Sequence, residues 1–378
     1  MQRSLNVAGV VAALERKGWT RKDLAAAVGV SAQSVTNWLK GTDCPRPDKL
    51  LKIAATLKLR LDELLVVPPE RASTKPVVAF RRRAATKTTE AHIAKAQAMG
   101  ELLVPLVPHL PPPRALHATI AQPSTSHVPL QQTVAQIREK LGLGQQAVLG
   151  YSTLIGEFAA NDAFLVPVLW GVQQHHGNAL HILLPAQNVT FVYLNLDTHI
   201  EDFKFWMAHE LAHVYTPGLA GTDAGEDFAD AFAGALLFPE PLAAAAYAEA
   251  IAIRRKADAI AALQQHANTH EISLFTVYCQ AKAWAEAHSL PPLEVTESDI
   301  HAVRNHQRGA LVSALLFDPL PPEPSSYIAA ARSVFGSEFF SALRRLLLTH
   351  GTGPGYLQQV LDIPLSDAAA LHHVLTRG

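Results

Sequence analysis

Residues 205–214 read Phe-Trp-Met-Ala-His-Glu-Leu-Ala-His-Val. His209 and His213 are four residues apart, so on a helix both imidazoles lie on one face and can reach the same metal ion. Glu210 leans towards that ion but is placed to hold a water molecule rather than the metal. The apolar residues of the stretch can face a core; they are Leu211, Ala212 and Val214. The stretch therefore predicts an anchored helix whose polar edge lines a cleft.

The His-Glu-x-x-His spacing is typical of zinc hydrolases, in which the glutamate is the general base. The alternative is an amphipathic helix with two surface histidines and a solvated glutamate. The chain has 18 histidines in 378 residues, and at that frequency the motif arises by chance in about 4% of randomly ordered chains. The motif therefore needs support from a third ligand, because a catalytic zinc ion takes three protein ligands and keeps one open position.

Residues 225–239 supply a candidate for that ligand. They read Gly-Glu-Asp-Phe-Ala-Asp-Ala-Phe-Ala-Gly-Ala-Leu-Leu-Phe-Pro. Glu226 and Asp230 are one helical turn apart, so Glu226 can be the third ligand while Asp230 hydrogen-bonds the outer nitrogen of a ligating histidine. The alternative makes Glu226 and Asp227 ordinary carboxylates at the start of a helix. An apolar stripe at helical spacing predicts the buried face of this helix; it consists of Phe228, Ala231, Phe232, Ala235 and Leu236.

These two motifs together resemble the ImmA/IrrE family of bacterial and phage metallopeptidases. That family has HExxH followed by ExxANxFAxxLLMP, and this chain has HELAH followed by ExxADxFAxxLLFP. The departures are Asp230 in place of asparagine and Phe238 in place of methionine. The resemblance implies a gluzincin-like site with Zn²⁺ bound by His209, His213 and Glu226, and with Glu210 as the general base.

The resemblance also implies a function. Members of the family cleave a partner repressor during DNA damage, stress or mobile-element induction, so the expected substrate is a helix-turn-helix regulator. Two alternatives stay open: a metal-dependent transcriptional regulator that cuts nothing, and a toxin–antitoxin or phage-defence component that acts through protein contacts. The sequence does not identify the target, the cleavage site or the inducing signal. It also does not identify the oxyanion-stabilising residue, for which Tyr215, Tyr247 and a more distant histidine are candidates.

The composition of the chain indicates the cellular compartment and the class of partner to expect. The chain is 49% hydrophobic and has only two cysteines, Cys44 and Cys279, which are far apart and predict reduced thiols in the cytoplasm. No apolar run reaches the roughly 18 residues of a membrane span, and no signal peptide is expected.

The charged side chains are distributed unevenly along the chain. Residues 1–87 hold 17 basic and 7 acidic side chains, while the whole chain has a net charge of −1. A basic N-terminal module predicts a polyanionic partner at that end.

Residues 20–41 read Thr-Arg-Lys-Asp-Leu-Ala-Ala-Ala-Val-Gly-Val-Ser-Ala-Gln-Ser-Val-Thr-Asn-Trp-Leu-Lys-Gly and resemble an XRE/Cro-type helix-turn-helix. The resemblance implies that DNA is the partner and that the helix after Ser31 is the recognition helix. Its exposed residues, expected at base edges or phosphates, are Ala32, Gln33, Ser34 and Asn37. The residues expected at backbone phosphates are Arg21, Lys22, Lys40, Arg46 and Lys49. The alternative is a small helical bundle used for docking or dimerisation, and a homodimer is one option for the assembly.

The predicted fold class is α+β and mostly helical, with three domains. Residues 1–67 form the all-α helix-turn-helix bundle, 68–129 a basic and then proline-rich linker with one helix, 130–290 a zincin-like metallopeptidase domain with a small, mostly antiparallel sheet, and 291–378 a helical C-terminal region. Strands are predicted at 164–171, 179–184 and 189–196, and 190–196 is expected to be an edge strand that pairs with substrate. The other histidines near the site are expected in turns or at the surface; they are His175, His176, His181 and His199. The same holds for His266 and His270.

Overall fold

The computed structural model describes residues 4–5, 7–40, 45–59, 64–66, 75–79, 90–112, 117–171, 179–306 and 308–377. Within these ranges the chain is 66% helical with 18 helices and a small mixed sheet, which confirms the predicted α+β, mostly helical class. The chain divides into two compact units, Met1–Thr74 and Lys75–Gly378.

In the described residues of the N-terminal unit, four helices form a bundle together with a two-stranded antiparallel sheet. The elements are β1 (Ser4–Leu5), α1 (Val7–Lys17), α2 (Arg21–Val28), α3 (Ala32–Lys40), α4 (Pro47–Leu57) and β2 (Leu65–Val66). Helix α2 begins with a capping box between Thr20 and Asp23 and ends at Gly29, whose φ of 72° is accessible to glycine at little cost. The sequence also predicts a fifth helix at 61–65; residues 61–63 lie outside the described residues, and Leu65 belongs to β2.

The core of the N-terminal unit contains the apolar residues that the sequence places there. Leu24, Val35, Trp38 and Ile53 are each at most 5% exposed, and Val30 and Leu50 pack against them while half-buried. The apolar face of each described helix in this unit thus packs against one small core, as the helical spacing of these residues predicts.

The C-terminal unit contains the four-stranded sheet and the remaining helices. Its strands are β3 (Val77–Ala79), β4 (Ala163–Val168), β5 (Ala179–Leu184) and β6 (Val189–Asn195). Its helices are α5 (Glu90–Leu103), α6 (His127–Lys140), α7 (Tyr151–Ala160), α8 (Ile200–Tyr215), α9 (Asp223–Leu237), α10 (Glu240–Ala252), α11 (Lys256–His270), α12 (Leu274–Ala287), α13 (Glu297–His306), α14 (Val312–Leu316), α15 (Pro324–Phe335), α16 (Phe339–His350), α17 (Pro354–Leu361) and α18 (Leu365–Arg377). Short 3₁₀ helices cover Val104–His109 and Pro217–Leu219.

The order of strands in the sheet is β3-β5-β6-β4. Strand β5 is antiparallel to both of its neighbours, β3 and β6, whereas β4 and β6 are parallel. The prediction that 190–196 forms an edge strand is therefore wrong, because β6 lies between β5 and β4 and both of its sides carry backbone hydrogen bonds. The outer side of β5 is covered by β3, with Ala79 opposite His181.

The predicted linker at 68–129 is not a spacer where it is described. Val78 belongs to β3, and Met99, Leu103 and Leu106 are at most 7% exposed and form part of the same core as the sheet. Among the prolines, Leu106 lies in the 3₁₀ helix Val104–His109 and is fully buried, so the proline-rich stretch also contributes an apolar side chain to the core. Gly100 permits this packing, since a Cβ there would lie 2.4 Å from Cβ of Pro76.

The C-terminal helices also belong to this unit rather than forming a region of their own. The hydroxyl of Tyr193 on β6 donates to the carbonyl oxygen of Val360 at 2.8 Å, and the indole nitrogen of Trp170 donates to that of Leu361 at 2.8 Å. Phe339 is fully buried in the common core. The predicted boundary at 290/291 thus differs from the observed packing, in which these helices cover the sheet.

No single helix within the described ranges is long and apolar enough to cross a membrane. The consecutive helices α9 and α10 reach that length and composition when taken together, but they are bent by 75° at the break between them.

Candidate functional site

Helix α8 carries both histidines of the HELAH motif. Every residue from Trp206 to Tyr215 is buried, so the helix runs through the core rather than over the surface. His209 and His213 are 0% and 1% exposed, and their Nε2 atoms are 3.2 Å apart. The spacing of four residues therefore directs both imidazoles to one point, as the sequence predicts.

Helix α9 brings Glu226 to the same point. Its Oε2 atom is 3.4 Å from Nε2 of His209, and its Oε1 atom is 3.3 Å from Nε2 of His213. Two glycines make the tight return from α8 to α9. Gly221 has a φ of +75°, and a Cβ at Gly225 would lie 2.2 Å from the carbonyl oxygen of Leu219. Residues with side chains would push the two helices apart at these positions.

The three side chains fit a metal ion. Tetrahedral coordination with the usual zinc–ligand bond lengths separates neighbouring ligand atoms by about 3.3–3.5 Å, close to the observed 3.2–3.4 Å. Both oxygens of Glu226 are buried without a hydrogen bond among the described residues. A cation at the centre would satisfy these oxygens and the facing nitrogens together. We refer to His209, His213 and Glu226 as the three-ligand cluster.

Asp230 fixes the orientation of one member of the cluster. Its Oδ1 atom lies 3.0 Å from Nδ1 of His209, so the proton is held on Nδ1 and the lone pair of Nε2 faces the cluster. Burial lowers the pKa of His209, but the close carboxylates of Asp230 and Glu226 outweigh this effect and raise the pKa to about 9. Burial raises the pKa of Glu226, yet its contacts with the two imidazoles hold it at about 2.

Glu210 lies beside the cluster without joining it. It is 3% exposed, and burial raises the pKa of its carboxyl group to about 7. A carboxylate that takes up and releases a proton near neutral pH suits a general acid–base role. Its Oε2 atom lies 3.5 Å from Nδ1 of His181 on β5.

His181 is the residue near the site that the sequence reasoning missed. The prediction of a turn or surface role is wrong, because His181 is 1% exposed and its ring centroid lies 5.5 Å from that of His213. Neither of its nitrogens has a hydrogen bond among the described residues, and burial lowers its pKa to about 3. The available signal was a single polar residue within the otherwise apolar strand Ala-Leu-His-Ile-Leu-Leu.

The remaining histidines have other roles. His199 precedes α8, and its Nδ1 atom lies 2.7 Å from the carbonyl oxygen of Gly309. His270 was expected at the surface but is 5% exposed, with its ring against that of Phe238. His266 is paired with Glu249 at 2.9 Å. His175 and His176 lie outside the described residues.

The two tyrosines considered as oxyanion donors, Tyr215 and Tyr247, use their hydroxyl groups in hydrogen bonds to other parts of the protein. The hydroxyl of Tyr215 donates to the carboxylate of Glu157 at 2.7 Å, and that of Tyr247 donates to the carbonyl oxygen of Pro291 at 2.7 Å. Neither proton is free to stabilise an oxyanion, so both candidates are rejected in this conformation.

The candidate DNA-contacting residues lie around α3. Gln33 is exposed, and its side-chain amide donates to Oδ1 of Asn37 at 2.9 Å. Ser34 N–H donates to the hydroxyl of Ser31 at the start of the helix. Ala32 is half-buried, and the side chain of Lys40 lies outside the described residues. The outward face of α3 thus offers the amide and hydroxyl groups that contact base edges and phosphates.

The basic residues of this unit divide into two groups. Arg21, Lys22 and Arg46 are exposed and available to phosphates. Lys49 is half-buried, and its Nζ atom lies 3.3 and 3.4 Å from the carbonyl oxygens of Val28 and Gly29. It therefore caps the end of α2, which differs from the predicted phosphate contact.

Comparison with known proteins agrees with the architecture of this unit. A helix-turn-helix family model matches residues 11–64, so the N-terminal unit contains a helix-turn-helix domain of the DNA-binding class. No curated protein matches the chain, and no solved structure matches it. The likeness of the region around His209 to the ImmA/IrrE peptidases thus rests on its motifs.

Proposed function

We propose that the chain is a zinc-dependent endopeptidase fused to a DNA-binding helix-turn-helix domain, and that it cleaves a repressor-type regulator. The observation that carries this proposal is the convergence of two imidazoles from α8 and one carboxylate from α9 at 3.2–3.4 Å. A second carboxylate, Glu210, remains outside the ligand set. Two histidines and one glutamate are a ligand set of catalytic zinc sites.

A zinc ion in the three-ligand cluster would supply Lewis acidity, polarising the scissile carbonyl and lowering the pKa of water at its open position. Glu210 accepts the proton of the attacking water and delivers it to the nitrogen of the leaving amine. Asp230 keeps His209 in the tautomer that binds through Nε2. Burial of both histidines and of Glu210 strengthens each of these electrostatic contacts, because little solvent screens them.

The substrate class comes from the motif resemblance. A repressor with its own helix-turn-helix is the proposed target, and DNA binding by the N-terminal unit would bring the peptidase to the same operator or regulate its own expression. Reduced thiols and a cytoplasmic location belong to this proposal. The same cluster would also serve a metal-dependent regulator that cuts nothing, or a toxin–antitoxin or phage-defence component.

The variant Glu210→Gln separates these possibilities. Wild type and variant are expected to bind the same amount of zinc, while peptide cleavage falls by about 10²- to 10⁴-fold because the general base is lost. New N-termini in cells that express each form, identified by mass spectrometry, should include a cut in a repressor for the wild type only. The matched control is Asp227→Asn, which replaces an exposed carboxylate on α9. This variant should cleave the peptide at the wild-type rate.

Two results would contradict the proposal. One is a wild type that binds zinc but generates no new N-termini. The other is a Glu210→Gln variant that retains full regulation, which would favour the regulator that cuts nothing.

A further inference from the structure

A second set of potential ligands lies away from the three-ligand cluster. His127 is the first residue of α6, Glu240 is the first residue of α10, and His288 follows the end of α12. Oε1 of Glu240 is 3.6 Å from Nε2 of His127 and 3.6 Å from Nε2 of His288. All three ligand atoms lie within 4.8 Å of one another.

These distances differ from those of ordinary ion pairs. A charge-assisted hydrogen bond between an imidazole and a carboxylate spans about 2.7–2.9 Å, so 3.6 Å is too long for one. Two ligands of one zinc-like ion at angles of 110–120° are separated by about 3.4–3.7 Å. The spacing of Glu240 from both imidazoles therefore matches shared coordination better than direct pairing.

The imidazoles already have the orientation that coordination needs. Nδ1 of His288 lies 2.8 Å from the carbonyl oxygen of Trp284, which holds the proton on Nδ1 and leaves the Nε2 lone pair towards Glu240. Nε2 of His127 is buried and has no hydrogen bond among the described residues. The Trp284 ring also packs against that of His288, with the ring centroids 4.7 Å apart and the planes tilted by 33°, which restricts the orientation of the imidazole.

The surrounding structure holds these elements together without help from an ion. The side-chain oxygen of Gln131 on α6 accepts the backbone N–H of Glu240 at 3.0 Å. Two turns further along α6, Arg138 donates to the carbonyl oxygen of Leu236 at the end of α9. A preformed site of this kind loses little conformational entropy when it binds an ion.

We propose that His127, Glu240 and His288 form a second binding site for a divalent transition metal ion of the zinc class. Imidazole nitrogens with one carboxylate oxygen suit Zn²⁺, Co²⁺ or Ni²⁺ better than Ca²⁺ or Mg²⁺. Side-chain exposures of 40% for Glu240 and 43% for His288 leave room for water as the remaining ligands. The ion joins α6, α10 and α12, so its role is to stabilise the packing of these three helices.

The experiment is a calorimetric titration of the full chain with Zn²⁺ after chelator treatment. The wild type is expected to bind two equivalents, whereas His288→Gln and Glu240→Gln each bind one. His301→Gln is the matched control, because Nε2 of His301 lies 3.5 Å from Glu297 in a pair with similar exposure that belongs to neither three-residue ligand group. This variant should still bind two.

Unfolding temperatures supply a second readout. Raising Zn²⁺ from one to several equivalents should raise the unfolding temperature of the wild type and of His301→Gln, but not that of the two site variants. The proposal is overturned if the wild type binds a single equivalent that both site variants retain, or if both site variants bind two equivalents. Peptide cleavage is expected to persist in His288→Gln, so loss of the second ion is distinguishable from failure of the proposed peptidase function.

Discussion

Oδ1 of Asp230 lies 3.0 Å from Nδ1 of His209, and this contact links the two helices of the candidate metal centre. Asp230 is on α9, one turn after Glu226. The same helix therefore supplies one ligand and also orients a ligand of α8. Asp230 is half exposed, whereas His209 is fully buried. The contact therefore lies between the buried cluster and the solvent.

Removing this contact should weaken metal binding. Asp230→Ala is expected to lower zinc affinity by about 10- to 100-fold, because the imidazole loses the acceptor that fixes its tautomer. Asp230→Asn should have a smaller effect, since an amide oxygen still accepts the Nδ1 proton. Competition with a chromophoric chelator measures both affinities, and Asp227→Ala on the exposed side of α9 is the control. Wild-type affinity in Asp230→Ala would refute the orienting role.

His181 should affect catalysis rather than metal binding. His181→Phe keeps a ring against His213 but removes the nitrogen that lies 3.5 Å from Glu210. We expect peptide cleavage to fall by about 10- to 100-fold with zinc stoichiometry unchanged, because the carboxylate loses a neighbour that orients it. His181→Gln, whose amide can donate to Glu210, should recover part of the activity. Equal activity of Phe and Gln variants would argue for a packing role alone.

The sequence predicts local features of this protein well and long-range ones poorly. The spacing of His209 and His213 places them on one face of any helix, and the structure brings Glu226 to them through a short, glycine-containing turn. The burial of Leu24 and Trp38 follows from helical periodicity in the same way. Each of these features depends on residues that are close together in the chain.

Features that depend on distant parts of the chain could not be predicted. Strand β3 is three residues long and becomes part of the sheet only through its pairing with β5, about 100 residues later. That pairing occupies the outer edge of β5, with Ala79 in register with His181. The interior position of β6 is a consequence of strand order, and the His181 side chain is buried because it packs against Glu210 and His213 of α8. Periodicity within a single strand specifies neither feature.

DNA binding by the N-terminal unit should depend on salt and on its exposed basic residues. The double variant Arg21→Ala/Lys22→Ala is expected to reduce the slope of log affinity against log salt by about 2, because each lost phosphate contact removes roughly 0.9 from the slope. Fluorescence anisotropy with duplex DNA at several salt concentrations measures the slope. Lys282→Ala, an exposed charge in the C-terminal unit, is the control. An unchanged slope in the double variant would exclude both side chains from the phosphate interface.

Protonation of His270 should destabilise the C-terminal unit in mild acid. Burial lowers the pKa of this histidine below 6.5, and the positive charges of His266, Arg138 and Lys204 lower it further. The unfolded chain then binds the proton at a higher pH than the folded chain does, so the free energy of unfolding decreases as pH falls from 7 through 6.5 and levels off only below the folded-state pKa. Urea unfolding at pH 7, 6 and 5 measures this trend. His270→Gln cannot take up the proton and should show a shallower decrease than the wild type, even though the lost contact with Phe238 lowers its stability at every pH. Parallel curves for the two proteins would show that another group is responsible for the acid sensitivity.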